Sequence, residues 1–234
     1  MIYVMSDIHG NLRRFNSIME QIRLQPEDTL YILGDIIDRH PHGIRILRQI
    51  KAMSNAKMLL GNHEYMMLKA LDEPYDGLQA QSKQDLEKFI QHWYRNGGEV
   101  THRHWKRIRK SDRPEILAYL KALPLSFDIT VCGTTYKLVH AAPPELYKPP
   151  MEPYKDRTHF SVWKRLQSDD PLPGDYTLIF GHTPTEHFQS DCPMKLFHAN
   201  RRIGIDCGSG YPIGNAYGRL ACLRLDDMRV FYSE

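Results

Sequence analysis

Five short polar clusters, each placed directly after an apolar run, constrain this chain more than any other feature of its sequence. They are Asp7-Ile8-His9, Gly34-Asp35-Ile36-Ile37-Asp38-Arg39, Gly61-Asn62-His63-Glu64, His140 and Gly181-His182-Thr183. The runs before them, at 2–5, 29–33, 57–60, 135–139 and 177–180, read as strands. Between the first three lie helical periodicities, Leu12, Phe15, Ile18, Met19 and Ile22, then Ile44, Leu47 and Ile50. Strand–loop–helix repeated in this way is the pattern of parallel βαβ units. In such folds the carboxyl ends of the strands share one sheet edge, where ligands bind. Clusters far apart in sequence can therefore meet in space.

The rest of the chain reads as additions to that core. From Glu64 to about Leu123 the spacing is mostly helical: Leu86, Phe89, Ile90 and Trp93 form one stripe that stops near Gly97-Gly98, and Pro114 opens another. This stretch is expected to be a helical cap inserted over about 64–123 of one domain spanning 1–234. Residues 127–139 read as a hairpin, 143–153 as an ordered proline-rich loop or substrate rim, and 203–207, 220–225 and 229–232 as later strands. Periodicity alone gives an α/β fold with later β-hairpins.

Composition excludes several classes. A formal net charge of +3 is too small to argue for nucleic acid or a membrane surface. The basic run 102–110 is read as a solvated helix face, and Met66, Met67 and Leu68 as core. No apolar run is long enough to span a bilayer, and the start of the chain lacks the pattern of a secretory signal. The four cysteines form no C-x-x-C pair, so the expectation is a cytoplasmic protein with reduced thiols.

Taken singly, Asp7 and His9 could be a capped turn before the next helix, and Gly34-Asp35 a strand-ending turn. The recurrence of metal-ligand residue types at every such strand end is what those readings leave unexplained. Asp7, His9, Asp35, Asn62, His140 and His182 offer carboxylate, amide and imidazole donors. That mixture suits two divalent ions, most readily manganese, with iron or zinc also fitting, and not magnesium alone. A carboxylate in a tight turn after glycine, as at Asp35, could bridge ions about 3.5–4 Å apart.

These blocks resemble the D-x-H, G-D-x-x-D-R, G-N-H-E, H-A and G-H-T motifs of the calcineurin-like metallophosphoesterases, in particular the small bacterial members of the phosphoprotein phosphatase branch. The resemblance runs from Asp7 to about Arg219. It implies a four-layer α/β/β/α sandwich and direct attack of hydroxide on phosphorus. It also implies that Asp7, His9 and Asp35 hold the first metal and that Asn62, His140 and His182 complete the second, with Asp35 shared. Arg39 would bind phosphoryl oxygens, assisted by Asn62; His63 would be the general acid, and Asp38 would orient it.

Three positions depart from the pattern: Leu60 where many members have arginine, His40 where many have glycine, and Ala142 where many have glycine. Arg165, in Trp163-Lys164-Arg165, resembles a W-x-R element and is a candidate second phosphate-binding arginine. The first expectation for function is a serine/threonine protein phosphatase, with phosphotyrosine and small aryl phosphates also accepted. The alternative is a symmetrical bis(5'-nucleosyl)-tetraphosphate hydrolase; of another class, a non-catalytic module that binds a phosphorylated ligand. Glu64 favours the phosphatase, and Leu60 the tetraphosphatase.

Overall fold

Alternation within single strands explains why this chain builds layers. In β1 (Ile2–Met5), Tyr3 and Met5 face one way and Val4 the other. In β6 (Thr177–Phe180), Leu178 and Phe180 face one way and Ile179 the other. Both strands are thus apolar on both faces, which suits only a sheet covered on both sides. The structure is a computed structural model that describes residues 1–71, 83–212 and 218–233.

Around β1 lie β2 (Thr29–Ile32), β3 (Ala56–Met58), β9 (Ala221–Arg224) and β10 (Arg229–Tyr232), in the order β10-β9-β1-β2-β3. Around β6 lie β4 (Ser126–Val131), β5 (Thr134–Val139), β7 (Phe197–Ala199) and β8 (Arg202–Gly204), in the order β4-β5-β6-β8-β7. β1, β2 and β3 run parallel, as do β5, β6 and β8; the remaining pairings are antiparallel. The β4–β5 hairpin turns through Cys132 and Gly133, both with positive φ (48° and 80°), as a two-residue turn of this hand requires.

Three buried apolar clusters separate four layers. Val4, Leu33 and Leu223 of the first sheet meet Leu138, Ile179 and Ile203 of the second between the sheets. On the outer face of the first sheet, Tyr3, Met5 and Ile32 pack against α1 (Leu12–Ile22), α2 (Gly43–Ala52) and α3 (Asn62–Ala70). On the outer face of the second, Leu178 and Phe180 pack against Phe160 of α7 (Arg157–Trp163). This is the α/β/β/α arrangement. Helix α1 starts at Asn11, whose side chain accepts a bond from the Arg14 N–H, and stops at Arg23 in the left-handed region.

Helices α4 (Lys83–Arg95), α5 (Glu99–Trp105) and α6 (Arg113–Lys121) make up the helical stretch expected as a cap. Trp93, Trp105, Ile116, Leu117 and Leu120 belong to the same cluster as Tyr3 and Met5, so these helices extend the outer layer of the first sheet. The part of that stretch at 72–82 lies outside the described residues. No helix among the described residues is long and apolar enough to cross a membrane.

Candidate metal centre

Every parallel strand in both sheets ends at the same rim. Past β1 come Asp7 and His9, past β2 Asp35, past β3 Asn62 and His63, past β5 His140, and past β6 His182. All are buried. Two sets of three donors have their ligand atoms within 4.8 Å of one another: His9, Asp35 and His63, and Asp35, His140 and His182. Asp35 is in both. His9 Nε2 lies 3.8 Å from Asp7 Oδ1 and 3.8 Å from Asp35 Oδ2, and His140 Nε2 lies 3.6 Å from Asp35 Oδ1. Asn62 Oδ1 stands 2.9 Å from His140 Nε2 and 2.9 Å from His182 Nδ1.

Backbone turns aim these groups. Asp7, His9, Asp35, Asp38, Arg39 and His182 all sit at positive φ, between 50° and 72°. Such conformations cost roughly 1–3 kcal/mol each for residues with a side chain and concentrate at functional sites. The packed layers hold them. Gly34 and Gly61 let the β2 and β3 turns touch: a Cβ on Gly61 would lie 2.2 Å from Asp35 Oδ1, and one on Gly34 2.7 Å from Gly61 Cα.

Glu64 is a brace. Its carboxylate accepts from the N–H groups of Asp35 (2.9 Å), Ile36 (2.9 Å), Ile37 (3.3 Å) and Gly61 (3.2 Å). It therefore ties the β2 turn to the start of α3.

Main-chain carbonyls fix two imidazoles. His140 Nδ1 lies 2.7 Å from the Leu33 carbonyl, and His9 Nδ1 lies 3.2 Å from that of Ile37. A carbonyl only accepts, so Nδ1 carries the proton and Nε2 turns a lone pair into the site. His140 Nε2 then faces Asn62 Oδ1, another acceptor, and a cation between them relieves that opposition.

The charge balance points the same way. Burial pushes Asp7 well above the usual carboxylate range, with Asp206 and Asp35 reinforcing it. It pushes Asp35 up to about 7, with His63 opposing. Burial likewise lowers His9, His140 and His182. Ionised carboxylates and neutral imidazoles gathered in a buried site with little cationic charge are costly, and bound divalent ions supply what is lacking. The donor set thus fits two ions sharing Asp35, with oxygen and nitrogen ligands of the kind manganese, iron and zinc accept.

His63 and its neighbours form a second constellation at the edge of this centre. His63 Nδ1 and Asp38 Oδ2 are 2.7 Å apart, and His63 Nε2 lies 3.4 Å from Arg39 Nη2. Arg39 is exposed, whereas Asp38 is fully buried. Burial raises Asp38 to about 7 and lowers His63 to about 4. Arg165 is exposed, and its charge is felt by His182 and Asp206.

The departures from the motif pattern find structural explanations. Leu60 is fully buried in the helix-side cluster. Ala142 packs behind the second sheet. His40 directs Nε2 to the Tyr211 carbonyl at 3.1 Å.

Sequence reasoning missed three groups. Asp206 stands past β8 on the same rim, its carboxylate accepting from the Gly208 N–H at 3.0 Å. Its position after an apolar strand is a usable signal, hidden because the apolar spacing of Ile203, Ile205 and Cys207 continues past the end of β8. Trp93 and Thr101 reach Asp38 from the inserted helices and carried no local signal. A concavity of about 780 Å³, lined by residues such as Ile44, Arg48, His104 and Arg109, contains none of the strand-end residues. Chemistry, not cavity size, marks the site.

A family model described as calcineurin-like phosphoesterase matches residues 1–206. A protein of Aromatoleum aromaticum named as a symmetrical bis(5'-nucleosyl)-tetraphosphatase is 28% identical over 142 residues, covering 60% of this chain and 43% of that protein. One of Haemophilus ducreyi with the same name is 35% identical over 100 residues, covering 40% of this chain and 37% of that protein. The chain thus spans about two fifths of the length of these curated relatives. A crystal structure of a metallophosphoesterase from Sphaerobacter thermophilus superposes with a TM-score of 0.57 at 17% identity, covering 99% of this chain and 87% of that one. At that identity the likeness shows the fold.

Proposed function

Because the chain belongs to the calcineurin-like phosphoesterase family, we propose that it hydrolyses symmetrical dinucleoside tetraphosphates to two nucleoside diphosphates at a two-metal centre. The substrate choice is carried by the curated relatives named for that reaction. Leu60 supports it, because its burial leaves no arginine at the position many phosphoprotein phosphatases use. Glu64, the residue that favoured a serine/threonine phosphatase, is occupied in bracing backbone N–H groups, so it says little about substrate.

In this reading Asp7, His9 and Asp35 hold one ion, and Asp35, Asn62, His140 and His182 the other. A bound ion pair supplies Lewis acidity and makes hydroxide available near neutral pH. Arg39, exposed at the rim, takes two phosphoryl oxygens with its fork of N–H donors, and Arg165, also exposed, is the second candidate cation for the phosphate chain. His63 delivers a proton from Nε2 to the leaving oxygen while Asp38 holds Nδ1. The negative charge of a bound polyphosphate chain opposes the burial that lowers His63. A nucleoside diphosphate is a weakly basic leaving group and needs this proton less than an alkoxide does.

The test is product analysis with a dinucleoside tetraphosphate and a phosphopeptide at equal manganese loading. Nucleoside diphosphate as the nucleotide product, formed with the higher kcat/KM, is the expected result. Equal or faster release of phosphate from the peptide overturns the substrate assignment and returns the phosphatase reading.

A further inference from the structure

Residues 93–101, from the end of α4 to the start of α5, make three hydrogen bonds to Asp38 and Arg39, and two glycines among them make room for the arrangement. Trp93 Nε1 donates to Asp38 Oδ2 at 2.7 Å, the same oxygen that lies 2.7 Å from His63 Nδ1. Asp38 N donates to Thr101 Oγ1 at 2.9 Å. Arg39 N donates to the Gly97 carbonyl at 3.1 Å. Gly98 makes room for the indole, since a Cβ there would lie 2.3 Å from Trp93 Cδ1; one on Gly97 would lie 2.9 Å from Arg39 Cγ.

Asp38 and Arg39 are consecutive residues with side chains, both in the left-handed region at φ 72° and 64°. A turn of that kind persists only where its surroundings over-determine it, and segment 93–101 surrounds it. Trp93 is fully buried. A tryptophan serving only as apolar filling would be expected to satisfy its N–H on a main-chain carbonyl or water. This one shares a carboxylate oxygen with the imidazole. Two donors on one oxygen fix the rotation of the carboxylate, and the carboxylate fixes the ring.

We propose that segment 93–101, acting through Trp93 and Thr101, is the positioning device that sets His63, Asp38 and Arg39 for proton delivery and phosphate binding. Trp93 and Thr101 are positioning residues: neither touches the reacting atoms, and both act through Asp38. The inference rests on the reading of His63 as the proton donor.

The test compares the alkyl and 4-nitrophenyl esters of a nucleotide, alkoxide and nitrophenolate leaving from the same phosphorus, at saturating manganese for Trp93→Phe, Thr101→Val, Thr101→Ser and His63→Ala. Trp93→Phe keeps an aromatic ring and removes the N–H. It is expected to lower kcat for the alkyl ester about tenfold or more, within the range a general acid supplies, and to change the nitrophenyl ester much less, with KM held on both. Thr101→Val is expected to lower alkyl-ester kcat and also raise KM, because the same turn carries Arg39. Thr101→Ser, which keeps the hydroxyl acceptor, is expected to restore both. In the His63→Ala background Trp93→Phe should add nothing, as for two residues acting on one step.

Equal losses on both esters for Trp93→Phe, while His63→Ala remains selective for the alkyl ester, overturn the positioning role and leave the acid assignment intact. Equal losses for His63→Ala overturn the acid assignment and the positioning role with it. Should Trp93→Phe fail to fold, the two Thr101 variants decide: Thr101→Ser no better than Thr101→Val overturns the proposal.

Discussion

Asp35 is the residue on which both candidate ligand sets turn, and its environment explains why it could not be replaced quietly. One oxygen receives the His63 N–H at 3.0 Å and lies 3.6 Å from His140; the other lies 3.8 Å from both His9 and His63. Asp35→Asn keeps the shape and removes the shared negative charge. We expect bound manganese to fall from two ions per chain to one or fewer and turnover to drop ~100-fold or more, beyond the 10–100-fold typical of groups that only support a ligand. Metal analysis and activity on the same preparation check this; two retained ions would rule out a bridging carboxylate. Residues of this kind were legible in the sequence because each follows an apolar strand in a βαβ pattern. Trp93 was not. By periodicity it is one more apolar position on a helical stripe, and only the tertiary structure reveals that its N–H faces a carboxylate.

At the level of elements, the informative junction is that between the β2 turn and α3. Helix α3 begins with Gly61 as its cap, which offers no side chain; Asp35 Oδ1 takes the first-turn N–H of His63, and Glu64 reaches back to the Gly61 N–H. Four N–H groups from two elements converge on its two oxygens. Glu64→Gln turns an amide toward donors that need an acceptor. With at least one buried N–H unsatisfied, unfolding free energy should fall by about 2–3 kcal/mol, read as a lower denaturant midpoint, with manganese affinity weakened as the turn loosens. An unchanged midpoint would remove the brace. The identity of this residue looked like a substrate marker in sequence because its motif neighbours are chemical. Its function in the fold depends on reach: glutamate has the length to cross from α3 to the β2 turn.

For the whole molecule, what matters is that three apolar clusters are stacked across four layers. Ile179, fully buried between the sheets, is remote in role from any ligand. Ile179→Ala should cost about 2–5 kcal/mol of stability, measured by denaturant unfolding, while kcat/KM of the folded fraction stays near the parent value. A comparable loss of kcat/KM would mean that the layers do not buffer the rim. The layered order was legible from strand and helix periods together with the motif blocks. The attachment of the inserted helices to the outer layer was not, because the apolar stripes of Trp93 and Leu120 do not say which surface they cover.

The six proposed ligands are divided between the sheets: Asp7, His9, Asp35 and Asn62 follow strands of the first, His140 and His182 strands of the second. An ion pair seated among them would rivet two leaves otherwise joined chiefly by oily contact, fastening an early stretch of polypeptide to a late one. Manganese titration should then raise the melting temperature, approaching ~2.7 kcal/mol of added stability at a hundredfold excess over the dissociation constant. A chelating agent would accordingly weaken the body of the protein as well as silence its chemistry, and calorimetry with and without the ion is where that dual dependence would be seen.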